Sequence, residues 1–141
     1  MAISFHSEGI RFDLKQKNKH KQWIKRFIES HKKALGELSY IFTSNEQLLL
    51  INRKYLNHNY FTDVISFDYT VDDIIAGDIF ISIEQVKKNA ELYGVEANEE
   101  LRRVIIHGIL HLLDFNDSSL EEKETMRKKE NEALHLWLKP V

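Results

Sequence analysis

Between Asn98 and Leu113 the chain carries apolar side chains on almost every side of a helix. Leu101, Val104, Ile105, Ile106, Ile109, Leu110, Leu112 and Leu113 leave hardly any polar face. A helix apolar all round is stable only when other elements cover it, so the rest of the fold has to close around this segment. Two histidines, His107 and His111, interrupt the apolar surface four residues apart, with Gly108 between them. At 3.6 residues per turn their side chains stack on one face. The missing β-carbon at Gly108 lets another backbone or a substrate approach the helix closely.

The flanking sequence supplies what can cover such a helix. Ile3–His6 reads as a short strand, and Leu14–Ala34 as a helix with Trp23, Ile24, Phe27 and Ile28 at helical spacing, ended by Gly36. Leu38–Phe42 reads as a strand. Ser44 opens a second helix carrying Leu48, Leu49, Ile51 and Tyr55. Val64–Tyr69 and Asp78–Ser82 are rich in β-branched and aromatic residues, and the segment from Val71 to Gly77 between them predicts a hairpin-like return and an antiparallel pair. Ile83–Tyr93, Asn98–Leu113 and Ser119–Leu138 read as helices. Strands early and helices late predict an α+β fold, a small mixed sheet with helices packed on it and the histidine helix central and buried.

At 141 residues the chain has the length of one compact domain, and we expect residues 1–141 to form it, since no repeat or linker divides them and the single proline is Pro140. There is no cysteine, which suits a reducing compartment and restricts any metal site to imidazole and carboxylate ligands. The N-terminal residues show no export signal and no apolar run nears the roughly 20 residues of a membrane span, so the expected location is the cytoplasm, without membrane. A net charge of −2 excludes a uniformly basic surface; any nucleic-acid contact has to be local.

After Leu113 the apolar pattern stops. Asp114-Phe115-Asn116-Asp117 has the composition of a turn able to fold Asp117 back onto the histidines. His107, His111 and Asp117 then offer three N/O ligands, the number found in catalytic zinc sites that keep a position for water. Two blander readings stand beside this. The histidines can be core residues satisfied by backbone carbonyls, and Asp117 can cap the next helix, because Asp117-Ser118-Ser119 precedes Glu121 and Glu122 in a capping-box pattern.

The run from His107 to Asp117, HGILHLLDFND, resembles the signature of the YbeY endoribonuclease family, H-G-x-L-H-L-x-G-Y-D-H. Leu50–Tyr55, Thr62–Phe67 and Gly77–Ser82 are similar to further segments of that family in the same order, so the likeness runs from about Leu38 to the C-terminus. The resemblance implies a zinc-dependent hydrolase that cuts single-stranded RNA in ribosomal RNA maturation. It also implies His107 and His111 as catalytic residues, His107, His111 and Asp117 as metal ligands, and ribosomal RNA and the small ribosomal subunit as partners. Two departures stand out. Asp117 replaces the family's third histidine, which makes the ligand set more anionic and a bound metal less Lewis-acidic, and Leu56 replaces an arginine suited to holding the scissile phosphate.

Positive charge concentrates on the first long helix in Lys15, Lys17, Lys19, Lys21, Lys25 and Arg26, either as a track for an RNA backbone or as the wet face of an amphipathic helix. Arg53, His58 and Asn59 are candidates to replace the lost arginine, and Tyr60 and Phe61 to stack on unpaired bases. Two rival functions fit parts of the pattern: a metallopeptidase, although Gly108 stands where such enzymes carry a general-base glutamate, and a ribosome-assembly factor that keeps the fold without cleavage.

Overall fold

A computed structural model of the chain describes residues 2–57 and 62–140. His58, Asn59, Tyr60 and Phe61 lie outside the described residues. The elements run β1 (Ile3–Ser7), α1 (Lys17–Ser30), β2 (Ala34–Thr43), α2 (Asn45–Tyr55), β3 (Val64–Asp68), β4 (Ile74–Ser82), α3 (Ile83–Tyr93), α4 (Ala97–Leu112) and α5 (Leu120–Trp137). The sheet has the order β1-β2-β4-β3; the first three strands are parallel and β3 pairs antiparallel with β4. This is the expected α+β fold with a mixed sheet.

The sheet's two faces are covered unequally. Tyr40, Phe42, Ile79 and Ile81 are fully buried in the main core with α1 and α4. On the other face Phe67 meets Phe80 and Tyr55 of α2, each edge to face. Tyr40 carries its hydroxyl into the core and donates to the Ile105 carbonyl at 3.3 Å, which satisfies a polar atom that burial would otherwise penalise. α4 packs tightly against the sheet at Gly108: a β-carbon there would lie 2.8 Å from Ile79 Cγ2. The neighbour that glycine admits is therefore β4, not a substrate. The same contact leaves no room for a glutamate, which removes the general base that the metallopeptidase reading needs.

The larger differences from the expected boundaries lie in α1, β2 and β4. α1 begins at Lys17, because Gln16 adopts a left-handed conformation (φ 56°), and it ends at Ser30, where Lys32 (φ 60°) turns the chain. Gly36 is not a helix terminator. It lies inside β2 beside a register irregularity, where a β-carbon would come within 2.9 Å of the Ile75 carbonyl oxygen. β4 starts at Ile74, four residues early, because Val71 and Ile74 exchange backbone hydrogen bonds around Asp72 (φ 55°), so the return is tighter than a seven-residue loop.

Candidate metal centre

The end of α4 and the start of α5 set the geometry of the site. Asp114 takes the left-handed conformation (φ 74°), its N–H donating to the His111 carbonyl while the Phe115 N–H reaches the Leu110 carbonyl at 2.9 Å. This is the Schellman pattern, usually built on glycine. Further along, Ser119 caps α5: its hydroxyl accepts from the Glu122 N–H, and the Glu122 carboxylate accepts from the Ser119 N–H, each at 3.0 Å. The capping box therefore belongs to Ser119. Asp117, between the two caps, is left to turn back over α4.

It does so. The Asp117 Oδ2 lies 3.2 Å from His107 Nε2 and 3.7 Å from His111 Nε2, and the two Nε2 atoms are 3.1 Å apart. Four tetrahedral donors at zinc bond lengths of 2.0–2.1 Å stand about 3.3 Å from one another, so this triangle has the edges of a zinc site with a fourth corner to spare. Three electron-rich atoms turned to one point need something positive between them, a proton or a metal ion. Among the described residues, these are the three His, Asp or Glu side chains gathered closely enough to share an ion.

A second ring of charge surrounds the triangle. His107 Nδ1 is 2.7 Å from Glu130 Oε2; the other oxygen of Glu130 accepts from Arg103 Nη1 at 2.9 Å, and Arg103 Nη2 donates to Asn131 Oδ1 at 3.0 Å. Burial pushes the His107 pKa down, but the Glu130 hydrogen bond and the charges of Glu130, Asp63 and Asp117 outweigh it and hold His107 above the ordinary histidine value. His111 is held below it, by burial and by the facing charge of His107. Burial works to raise Glu130, yet the hydrogen bonds from His107 and Arg103 keep it below the usual carboxylate range. Asp63 receives a hydrogen bond from Asn89 and is raised by burial.

Beside His111 opens a cleft of about 450 Å³, with Asn52, Leu56, Thr62, Ser66 and Asp68 among its walls. No lysine or arginine lines it among the described residues. Leu56 lines it, whereas Arg53 lines a separate groove with Leu50 and Tyr55. Lys15, just before α1, and Lys17, Lys19, Lys21 and Lys25 on it are exposed. Lys17 pairs with Asp13 at 3.0 Å and Lys19 lies over the Trp137 ring at 4.2 Å.

Comparisons with known proteins identify the family. The profile of the family Endoribonuclease YbeY matches residues 2–137. The chain belongs to that family. An Endoribonuclease YbeY from Bacteroides thetaiotaomicron is 46% identical over 134 residues, covering 95% of this chain and 98% of that protein. One from Parabacteroides distasonis is 48% identical over 134 residues, with 95% and 94% covered. The fold is shared with a Thermotoga maritima protein solved in solution, at a TM-score of 0.68 and 21% identity over 96% of this chain and 89% of that one. Among the described residues no helix is long and apolar enough to cross a membrane.

Glu130, Arg103, Asp63 and Asn52 escaped the sequence reading. Glu130 had a detectable signal, because it falls on the buried stripe of α5 with Met126, Ala133 and Trp137, where a charge is out of place unless it has a partner. Asn52 is likewise a buried polar residue on α2.

Proposed function

We propose that this chain is a metal-dependent endoribonuclease that cuts single-stranded RNA during ribosomal RNA maturation, acting on the small ribosomal subunit in the cytoplasm as one domain. The observation that carries the reading is the convergence of His107 Nε2, His111 Nε2 and Asp117 Oδ2 to within 3.1–3.7 Å of one another. These three residues would hold a zinc ion. The chemistry zinc supplies in such a site is Lewis acidity, acidifying water to a pKa near 7 and offsetting charge that builds on phosphorus.

The protein's own part is position and access. His111 forms both a corner of the triangle and a wall of the cleft, so a nucleotide in the cleft places its phosphate beside the ligand set. The polar walls of Asn52, Thr62, Ser66 and Asp68 suit a base whose edges are free to hydrogen-bond, which is a property of unpaired RNA. Loading the purified protein with zinc and offering structured ribosomal RNA tests the reading. Cleavage is expected in single-stranded segments, and His107→Ala cutting as well as the parent contradicts it.

One observation favours a second reading, a ribosome-assembly factor without cleavage: among the described residues no lysine or arginine lines the cleft, and Leu56 is in its wall. Co-sedimentation with small subunits, combined with no cleavage at stoichiometric protein, selects it.

A further inference from the structure

We propose that Glu130, held by Arg103, is a positioning residue that fixes His107 in the tautomer with its hydrogen on Nδ1, so that the Nε2 lone pair is kept free for the metal. The inference rests on the metal reading above and concerns side chains outside the ligand set.

The geometry leaves little choice. Glu130 is 6% exposed, and both its oxygens are committed: one to Arg103 Nη1 at 2.9 Å, the other to His107 Nδ1 at 2.7 Å. A guanidinium only donates, and it keeps its partner ionised. An ionised carboxylate only accepts, so the hydrogen of the His107 contact has to sit on Nδ1. Nε2 is then a bare acceptor turned towards His111 and Asp117 at 3.1 and 3.2 Å. Arg103 is itself braced by Asn131, the neighbour of Glu130 on α5, so α5 holds both ends of the clamp that orients a ligand carried by α4. Outer partners of this type raise the basicity of a ligating imidazole and set its ring orientation, and losing one weakens metal binding by about 10–100-fold.

The clamp makes an isosteric change more harmful than its shape suggests. In Glu130→Gln the amide oxygen has to face Arg103, because two donors cannot face each other. The amide NH2 then points at His107 Nδ1 and forces the hydrogen onto Nε2, covering the lone pair that binds the metal. Removing the guanidinium in the double variant Glu130→Gln with Arg103→Met frees the amide to turn round and accept from Nδ1 again.

The test is zinc affinity, measured by competition with a chromophoric chelator, alongside nitrogen-15 spectra of the histidine rings in the metal-free protein. The expected results are an Nδ1–H resonance for His107 in the parent, an Nε2–H resonance in Glu130→Gln with zinc binding weakened about 10–100-fold, and recovery of most of that loss in the double variant. A purely structural role predicts no recovery, because the double variant removes a second buried contact. A folded Glu130→Gln that binds zinc within about twofold of the parent overturns the proposal. So does a neutral His107 in the parent, at a pH above its raised pKa, that carries its hydrogen on Nε2, which decides the matter even if the variants fail to fold. A parent that binds no zinc sinks the metal reading instead, and the parent's ring spectrum still judges the clamp.

Discussion

Two buried histidine corners share the α5 helix and have opposite characters. At the C-terminal end of α5, His20 is 4% exposed, its Nδ1 bonded to the Gln16 carbonyl at 3.0 Å and its ring packed on Trp137 and Trp23. Its charged neighbours, Arg102 and Lys19, are both positive, so burial and repulsion hold it below the ordinary histidine value. At the other corner His107 is less buried, yet it is ringed by Glu130, Asp117 and Asp63 and held above that value. Burial alone therefore does not make a ligand. The sign of the surrounding charge, and a second imidazole one turn away, separate a satisfied core histidine from a centre able to hold a cation.

The largest expected effect breaks one corner and spares the other. His107→Ala or Asp117→Ala should lower cleavage of single-stranded RNA by more than the roughly 100-fold upper figure for losing an outer-shell partner. His20→Ala should leave the cleavage rate unchanged and instead cost about 1–3 kcal/mol of stability, read from thermal unfolding. Equal loss of cleavage in the two variants would erase the distinction.

Adding a cation to the cleft comes next. Leu56→Arg should raise cleavage by about tenfold, mainly through KM, since a charge-assisted hydrogen bond is worth about 1.5–3 kcal/mol at best. An unchanged KM would show that the phosphate does not pass Leu56.

The two corners should also respond to pH with opposite signs in the metal-free protein. The folded pKa of His20 lies below the ordinary histidine value of 6.5, so the unfolded chain takes up the proton first; the stability His20 contributes is present above pH 6.5 and lost as pH falls through the folded value. For His107 the folded pKa lies above 6.5, so its contribution is complete below 6.5 and lost as pH rises through the folded value. Unfolding temperatures measured across about pH 5–9 should lose their acid-side slope in His20→Asn and their alkaline-side slope in His107→Asn. Slopes of one sign in both variants would contradict the contrast.

The smallest effect concerns the left-handed residues on which both corners hang, Gln16 before His20 and Asp114 before Asp117. Replacing either with glycine should stabilise the chain by about 0.5–1 kcal/mol, since glycine adopts positive φ without steric cost. A fall in unfolding temperature would mean that the native side chain contributes more than its conformation costs.

Much of this was legible in the sequence where periodicity or caps were strong. α3 runs from Ile83 to Tyr93 as read, and α4 stood out because its apolar residues fill every side. The Asp114 turn was readable from composition, since aspartate tolerates the left-handed region. What stayed hidden depends on the third dimension. Gly36 looked like a helix end, and only the approach of Ile74 and Ile75 shows it to be a crowded strand position. Ile74 and Ile75 looked like loop because Asp72 and Asp73 precede them, yet those aspartates are the turn itself. Glu130 meets His107 across 23 residues of sequence, and no local pattern encodes that pairing. The capping role for which Asp117 was a candidate falls to Ser119, whose hydroxyl accepts from the Glu122 N–H.

The central claim is that three side chains share one cation. The most direct measurement is the zinc content of protein saturated with zinc and then desalted, in the parent and in His107→Ala. One zinc per chain in the parent and almost none in the variant is the predicted result. A parent without zinc, or a variant that retains as much as the parent, would contradict it.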